Sequence, residues 1–303
     1  MTEAVGTLPK ALMAGVRVWW GQDYDTHPEF WSKCFEKDTS EMNHEEDVEL
    51  GGTGLATIQT DGGSTSYDNM RQGPTTSYSH MRYSLGFIVT EDEFDDNQYV
   101  KVARARTTSL AFSFRTTKEV VAANTFNRAA TSGYTGGDGV TLLSTAHPRL
   151  DGATWANRTT AFADISEAAV EDLLKLMMAA ENTMGHPIPL RAKRLVVSTD
   201  NGFEATRIVK STLQSGNANN DTNAMREMGI FQEDPMIHPY FTDMDAWGVI
   251  TDAPNGLKMY QRKNRIIRRE SDFDTDNLKV KGVERYSFGW SDPRGYYGSS
   301  GAG

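Results

Sequence analysis

A polar segment followed directly by one very long helix is the feature of this sequence that most constrains its fold. About forty residues, from Gly51 onward, are rich in Gly, Ser, Thr and Tyr and show almost no apolar periodicity. Thr90 and Glu93 then have the Thr-x-x-Glu spacing of a capping box, in which a hydroxyl and a carboxylate each bind an unpaired backbone N–H at a helix start. Neither Pro nor Gly interrupts the predicted helix before Gly133.

One face of this helix is predicted to be buried. Apolar and small residues recur along it at alternating steps of three and four: Val100, Ala103, Thr107, Leu110, Phe114, Thr117 and Val121. At about 1.5 Å per residue, the helix is roughly 50 Å long. A compact monomer does not need so long a helix next to so polar a segment. We therefore expect neighbouring subunits to supply the contacts that the helix and the segment lack within their own chain.

Composition excludes several classes of protein. The chain has 303 residues, of which 38% are hydrophobic and 24% charged, and its mean hydropathy is −0.54. These values are typical of a soluble protein with one large or two ordinary domains. Its apolar runs are shorter than the roughly 20 residues of a membrane helix, and its start does not resemble a signal peptide. We therefore expect no association with a membrane.

Charge and cysteine content narrow the partners and the compartment. The net charge of −10 argues against wrapping of nucleic acid, which needs a basic surface, but allows DNA to lie close by. The single cysteine, Cys34, excludes an internal disulfide framework and a cysteine zinc site, and fits a reducing cytoplasm. Its aromatic and apolar neighbourhood favours an unreactive core thiol.

The chain before the polar segment is interpreted as an arm. Leu8, Leu12 and Val16, followed by two tryptophans, indicate a short amphipathic helix. This helix docks either on its own core or on a neighbour, and the pattern leaves both alternatives open. An acidic stretch, Glu41 to Glu49, follows.

The polar segment itself is interpreted as a long β-hairpin. Asp61-Gly62-Gly63 is a hairpin-turn signal between predicted strands at 56–60 and 64–67, and residues 83–89 form a clearer strand that leads to the helix. Because a two-stranded ribbon is marginal alone in water, we expect the hairpin to lie on another surface.

The remainder of the chain alternates helices and strands, which indicates an α+β fold. A capping box from Asp164 to Glu167 is predicted to open a second helix, and Asn201-Gly202 a third. The apolar residues of these two helices are Val170, Leu173, Leu174, Met177 and Met178, and then Phe203, Ala205, Ile208 and Val209. An exposed polar loop is predicted at 215–226, and strands at 194–198, at 247–251, at 257–260 and where Tyr286, Phe288 and Trp290 alternate.

The acidic run Asp272, Asp274 and Asp276 has the alternating carboxylates of a calcium loop. Asn277 and Val283, however, stand where an EF-hand needs Gly and Glu. A solvated acidic turn is the favoured interpretation.

The histidines likewise support no metal or catalytic site. His238, Asp243 and Asp245 could in principle supply three metal ligands, but turn and packing roles are favoured. Gly136-Gly137-Asp138-Gly139 lacks the Gly-Lys-Ser/Thr ending of a phosphate loop and is interpreted as a turn. A Ser/His/Asp triad assembles in space and stays open, but no nucleophile elbow occurs. We therefore predict no enzyme activity, no cofactor and no metal.

Basic residues form the one suggestive set. Arg104, Arg115 and Lys118 fall close to one face of the long helix, and Arg262, Lys263, Arg265, Arg268 and Arg269 form a second cluster. They either belong to a solvated face and a charged edge strand, or pair with acidic segments of neighbours, such as Glu41–Glu49 or Glu91–Asp96. The candidate inter-subunit contacts are therefore Arg104, Arg115, Lys118, Arg262, Arg265 and Arg268, with Tyr67 and Arg71 of the loop.

In order and spacing, these elements resemble the major capsid proteins of tailed bacteriophages, which have the Hong Kong 97 capsid fold, and most closely the Mu-like major head subunits. Gly86-Phe87-Ile88-Val89-Thr90 resembles the entry to the spine helix, and Ala123–Arg128 followed by Thr141–Pro148 resembles the passage after it. Residues 164–215 resemble the helix–strand–helix of the axial domain, and Tyr240–Trp247 a strand entry found there.

The resemblance implies an α+β fold with five segments. They are an N-terminal arm at 1–49, an extended β-hairpin loop at 50–89, a peripheral domain with the spine helix at 90–160, an axial domain at 161–254, and closing strands at 255–303, mainly in the peripheral domain.

The resemblance also implies a function. Pentamers and hexamers of the chain would form the icosahedral head shell around double-stranded DNA, in a virion assembled in the host cytoplasm. Scaffold, portal and decoration proteins are candidate further partners, and any scaffold is expected to be a separate protein. Two alternatives stay open: the shell of an encapsulin-like nanocompartment, and a soluble α+β hydrolase or carbohydrate-binding protein.

One departure from the family's founding member generates a prediction. That protein crosslinks its subunits through a lysine of the extended loop, whereas here no lysine occurs between Lys37 and Lys101. We expect mature particles to run as a single subunit band on a denaturing gel, since no loop amine is present to form an isopeptide bond. A covalent ladder would contradict this.

Overall fold

The computed structural model describes residues 18–90, 93, 99–214, 221–271 and 277–301. Within these ranges the helices are α1 (18–26), α2 (Tyr99–Asn127), α3 (Glu167–Met178), α4 (Gly202–Lys210) and α5 (Ala224–Glu227), with 3-10 turns at Trp31–Lys33 and Pro293–Gly295. The strands are β1 (Glu36–Thr39), β2 (His44–Leu50), β3 (Gln72–Ser79), β4 (Met81–Val89), β5 (His147–Pro148), β6 (Thr154–Trp155), β7 (Ala192–Val197), β8 (Met236–Ile237), β9 (Trp247–Thr251), β10 (Leu257–Ser271), β11 (Leu278–Trp290) and β12 (Tyr296–Ser299).

A four-stranded sheet built on the β10–β11 hairpin, the long sheet, supports α2. Its order is β1-β10-β11-β4, with β1 parallel to β10 and the other pairs antiparallel. Trp20 of α1 and Phe114 of α2 pack together on it at a ring distance of 5.2 Å. They meet the sheet at Gly282, where an added Cβ would lie 2.9 Å from Phe114. Glycine at this position therefore lets the helix approach the strand closely.

A second four-stranded sheet holds the other main core. Its order is β12-β9-β7-β8, and α3 and α4 cover it with buried apolar side chains that include Leu173, Met177 and Ile208. Trp247 and Tyr297 of the sheet are fully buried in the same cluster. The prediction of an α+β fold is confirmed.

The capping box before α2 forms as predicted. The Thr90 N–H donates to Glu93 Oε2 at 3.3 Å, and the Glu93 N–H donates to Thr90 Oγ1 at 3.4 Å. Residues 91–92 and 94–98 lie outside the described residues. The 29 residues of α2 correspond to a rod of about 43 Å.

The buried face of α2 departs from the predicted one in its second half. Ala103, Thr107, Leu110 and Phe114 are buried as expected, but Thr117 is exposed and Val121 only half-buried, whereas Lys118 and Glu119 are buried. The side chain of Val100 lies outside the described set. A step of four, from Phe114 to Lys118, keeps the stripe facing the sheet, because 3.6 residues make one turn.

Buried Glu119 ties the arm to α2. Its two carboxylate oxygens accept the backbone N–H groups of Phe30 and Trp31, each at 3.0 Å. Trp31 and Phe35 are buried in the same core as Phe126 of α2. The described part of the arm therefore docks on the core of its own chain.

The extended loop differs from its prediction. The predicted turn forms, since Gly62 has φ +74° and the Gly63 N–H donates to the Thr60 carbonyl at 2.9 Å. The predicted strands 56–60 and 64–67 are wrong, however: the ladder lies at the base of the loop, between β2 and β3. Segments 56–60 and 64–67 have neither an apolar face nor a third strand to lie against, which explains why they do not pair.

Four further predictions are corrected. The N-cap of α3 is Ser166, whose hydroxyl accepts the Ala169 N–H, and not the expected pair of Asp164 and Glu167. Met178 and Phe203 are exposed, because each projects from its helix away from the sheet. The polar loop predicted at 215–226 contains the start of α5, and its residues 215–220 lie outside the described part. β10 runs on from the predicted 257–260 to Ser271.

No helix in the described part of the chain is long and apolar enough to cross a bilayer.

The carboxylate that ties the arm to α2 generates a stability prediction. Replacing Glu119 with alanine leaves two buried N–H groups unpaired, so we expect the free energy of unfolding to fall by about 2–4 kcal/mol. Urea denaturation of the two proteins measures this difference. The matched control is Glu171→Ala on the exposed side of α3, expected to change stability by less than about 0.5 kcal/mol. Equal losses for both variants would show that Glu119 does not hold the arm.

Candidate subunit interface

The extended loop presents an exposed surface that its own chain does not cover. Every side chain from residue 53 to residue 72 is exposed, including apolar Leu55, Ile58 at 99% and Tyr67 at 93%. Arg71 is exposed as well. Exposed apolar residues grouped in one segment mark an interaction surface, so the loop is the first candidate for contact with another subunit.

The two sides of the loop run next to each other. The Gly54 N–H donates to Asp68 Oδ2 at 2.7 Å, and the Gly51 N–H donates to the Arg71 carbonyl at 2.8 Å. These contacts keep the loop narrow and projecting, without a ladder of its own.

One half-buried carboxylate fixes the base of the loop. Asp47 Oδ2, on β2, accepts hydrogen bonds from Lys258 Nζ at 2.7 Å, Ser291 Oγ at 2.6 Å and the Tyr260 hydroxyl at 3.1 Å. Burial acts to raise the pKa of Asp47, but the hydrogen bonds from Lys258 and Ser291 outweigh it and lower the pKa. Asp47 is therefore ionised and bound, and the loop base cannot swing freely.

A glycine turn supports the same base from the other side. At Gly137 an added Cβ would lie 2.6 Å from the carbonyl oxygen of Thr75 on β3. The Gly136–Gly139 segment is thus a packing turn against the loop, in agreement with its interpretation as a turn rather than a phosphate site.

The acidic stretch of β2 is partly used within the subunit. Glu45 accepts a hydrogen bond from the Ser40 hydroxyl at 2.5 Å, and Glu49 lies 3.4 Å from the guanidinium of Arg294. Alternate residues, Glu46 among them, face outward. Only this outward set is available to a neighbour.

Two of the basic candidates lie inside the subunit. Arg115 is buried, pairs with Glu29 and donates to the His27 carbonyl at 3.0 Å. Lys118 is buried and donates to Gln261 Oε1 at 2.9 Å, and desolvation lowers its pKa to about 8. Their charges are satisfied by the chain itself, so we remove both from the candidate interface.

The other basic candidates lie at the surface. Arg104 is exposed beside the Trp19 ring, and Arg265 binds Asp25 through two hydrogen bonds of 2.7 and 3.0 Å. Arg262 is half-buried, and Arg268 is exposed.

The strand register adds three cations that sequence reasoning missed, Arg82, Lys281 and Arg285. Arg268 is paired across the sheet with Lys281, and Arg285 with Arg82. Like charges directly opposite one another destabilise a sheet. This basic face of the long sheet (Arg82, Arg268, Lys281 and Arg285) therefore favours an acidic partner. Register is not visible in a single sequence, which is why Arg82, Lys281 and Arg285 were not predicted.

The residues considered for chemistry have packing roles. His238 is buried, stacks on Phe241 at a ring distance of 4.9 Å, and has its pKa lowered to about 4 by desolvation. His147 lies 2.6 Å from Asp138 and stacks on Trp155. Burial raises the pKa of the Cys34 thiol to about 12, which keeps it protonated. Among the described residues, no group of three or more His, Cys, Asp or Glu is placed to hold a metal ion. The acidic run 272–276 lies outside this set.

Comparison with known protein families identifies the class of this chain. The family model described as "Phage capsid protein" matches residues 73–299, which is about three quarters of the sequence. The chain therefore belongs to the phage capsid protein family. No match was found among curated proteins.

Solved structures share the fold. A chain of Microbacterium phage Oxtober96 has a TM-score of 0.55 at 10% identity, covering 90% of this chain and 92% of its own. The virus-like particle from Pyrococcus furiosus has a TM-score of 0.53 at 11% identity, with coverages of 94% and 98%. The capsid of Myoviridae Phage XM1 has a TM-score of 0.52 at 10% identity, with coverages of 90% and 91%. The fold is thus of the Hong Kong 97 type, and the family makes the chain a structural shell subunit of a phage head.

The buried imidazole generates a prediction about pH. Because the pKa of His238 is about 4 in the folded state and about 6.5 in the unfolded chain, the unfolded state binds more protons between these values. Stability is therefore complete above pH 6.5 and falls as the pH drops towards 4, by about 3 kcal/mol. We expect His238→Phe, which preserves the aromatic packing, to flatten this dependence in denaturant titrations across pH 4–7. An unchanged slope would contradict the assignment.

Proposed function

We propose that copies of this subunit assemble as pentamers and hexamers into an icosahedral shell that encloses double-stranded DNA. The observation that carries the proposal is the extended loop, whose side chains are exposed from residue 53 to residue 72 and whose base is fixed by Asp47. A loop that is held in place but uncovered is suited to lie across a neighbouring subunit.

The proposed contacts are those that the subunit leaves unused. Tyr67 and Arg71 of the loop would meet the neighbour directly, and Arg104 and Arg262 are available on the surface near α2 and β10. Arg265 would act together with Asp25, to which it is bound. The basic face of the long sheet, with Arg268, would take an acidic segment of another copy.

The domain boundaries belong to the same proposal. The arm (1–49), the loop (50–89), the α2 segment (90–160) and the closing strands (255–303) would form the periphery of a capsomer. Residues 161–254, which contain α3, α4 and most of the second sheet, would lie around its axis. Two of the three buried clusters of the described residues support this division, because one joins α2 to the long sheet and another joins α3 and α4 to the second sheet. The third cluster connects the two parts, since it contains Phe126 of α2, Met259 of the long sheet and Ile250 of the second sheet.

We further propose assembly in the host cytoplasm, with scaffold, portal and decoration proteins as partners and packaged DNA nearby without sequence-specific recognition. The structural similarity to a Pyrococcus furiosus virus-like particle means that the fold alone does not separate a phage head from another shell. The family match favours the phage head over a nanocompartment and over a hydrolase or carbohydrate-binding protein.

Removing the loop tests self-assembly. We replace residues 53–70 with Asn-Gly, a two-residue turn that closes the ladder where Gly51 bonds to Arg71. We expect an unchanged thermal unfolding midpoint, because the removed side chains are exposed, and the absence of particles in electron micrographs. The full-length chain, expressed and purified in parallel, is the control and is expected to form shells.

Two outcomes would contradict the proposal. Shells formed by the shortened chain at the same concentration would show that the loop does not join subunits. A full-length chain that stays monomeric even when co-expressed with the neighbouring genes would exclude self-assembly itself.

A further inference from the structure

Three polar side chains meet where α2 lies on the long sheet. Lys118 of α2 donates from Nζ to Oε1 of Gln261 on β10 at 2.9 Å. Gln261 is paired across the sheet with Tyr286 of β11. Glu284 stands two residues before Tyr286, so it is the diagonal neighbour of Gln261 on the same face of the sheet. We name these three side chains the Lys118 cluster (Lys118, Gln261 and Glu284).

The Lys118 cluster is almost closed to water. The exposed fraction is 6% for Lys118, 5% for Gln261 and 1% for Glu284. The centres of the Trp31 and Tyr286 rings lie 4.6 and 5.2 Å from Lys118 Nζ. All three members of the cluster line one cleft of about 610 Å³, which gives a small molecule a way out. An amine, an amide and a carboxyl group are thus enclosed together beside aromatic rings.

The amide of Gln261 is held with its carbonyl oxygen towards the amine. Its Nε2 donates to the backbone carbonyls of Lys263 at 2.6 Å and of Arg285 at 3.4 Å. Because both of these partners are acceptors, Nε2 faces them and Oε1 faces Lys118. Nζ therefore already lies beside the carbonyl group of the amide. Such proximity replaces a collision between two molecules, which is a large part of the barrier to a reaction between them.

Burial moves both ionisable groups of the cluster towards their neutral forms. Desolvation lowers the pKa of Lys118 to about 8 and raises the pKa of Glu284. An uncharged lysine is a nucleophile, and a carboxyl group can take up and return a proton. Glu284 Oε2 also has no hydrogen-bond partner among the described residues. A buried polar atom without a partner needs an explanation other than packing.

We propose that the chain modifies itself here by forming an amide bond between Lys118 Nζ and Gln261 Cδ, with release of ammonia. The bond ties α2 to β10 within one subunit, so it joins no subunits and adds no band to a denaturing gel. Each chain reacts once. The modification does not depend on the proposed assembly of a shell.

The atoms and protons of this step balance. Glu284 takes one proton from the Lys118 ammonium, and the cleft has room for a water that relays it. Nζ, now an amine with a lone pair, forms a bond to Gln261 Cδ. The bond between Cδ and Nε2 breaks as a second proton of Nζ passes to Nε2. The ammonia that forms takes the proton from Glu284 and leaves through the cleft as ammonium.

Mass spectrometry of the purified full-length chain tests the proposal. The chain is incubated at pH 8, where part of the Lys118 side chains is uncharged. Relative to Lys118→Met, and after allowance for that substitution, we expect an intact mass that is lower by one ammonia. Tryptic digestion is expected to yield one branched peptide that contains both Lys118 and Gln261, because trypsin does not cleave after the modified lysine.

Two further variants test the role of Glu284 and the choice of lysine. Glu284→Gln keeps the size of the side chain but cannot carry the proton, so the loss of ammonia is expected to slow about a hundredfold or more. Lys37→Met is the matched control, because Lys37 lines the same cleft but is exposed. It is expected to lose ammonia as the unmodified chain does. Thermal unfolding checks that each variant folds.

The unmodified chain alone can overturn the proposal, whether or not the variants fold. A mass that stays unchanged after incubation would show that no bond forms. Loss of one water instead of ammonia would join Lys118 to a carboxyl group and not to Gln261. Equal rates for Glu284→Gln and the unmodified chain would contradict the role of Glu284 as the proton carrier.

Discussion

The position of the extended loop depends on one half-buried carboxylate. Asp47 gathers Lys258, Tyr260 and Ser291 around a single oxygen, and so fixes β2 against β10 and the residue that follows β11. Leaving any of these groups unpaired in a buried site costs more than the bond itself contributes, which makes the arrangement specific. The loop beyond Asp47 has no hydrophobic core of its own. Its orientation at the base is nevertheless fixed within the single subunit.

Buried polar groups on α2 likewise depend on partners from elsewhere in the chain. Buried charges along a helix need partners, and the arm supplies them: Phe30 and Trp31 donate to Glu119, and Glu29 pairs with Arg115. The arm is consequently part of the subunit core over its described length. The loop and the basic face of the long sheet stay exposed in the described part of the chain, and in our proposal they are surfaces that contact neighbouring subunits.

Two local signals were predicted correctly from the sequence, whereas the capping box at Asp164–Glu167 and the strands 56–60 and 64–67 were not. The capping box at Thr90 and the turn at Gly62 involve residues a few positions apart, and both form as expected. The burial of Lys118 and Glu119 could not be predicted, because their partners Gln261 and Phe30 are 143 and 89 positions away. An amphipathic pattern in the sequence also does not reveal which apolar residue of a helix stays exposed because no other element packs on it.

The position of Phe203 illustrates this last limit. Its helix has the expected buried residues, but Phe203 points outward from the start of α4. Likewise, the opposition of Arg268 and Lys281 follows only from strand register. For the candidate interface, sequence reasoning selected Tyr67, Arg71, Arg104 and Arg268, which are exposed in the structure; their contacts with a neighbour stay a prediction. It also selected Arg115 and Lys118, which are buried within the subunit.

Hydrogen–deuterium exchange of the loop tests the central claim most directly. The amides of residues 53–72 are compared between unassembled subunits and purified particles. The account predicts rapid exchange in the subunit, where this segment has no ladder of its own, and strong protection in the particle, where a neighbour covers it. Equally rapid exchange in both states would contradict the account.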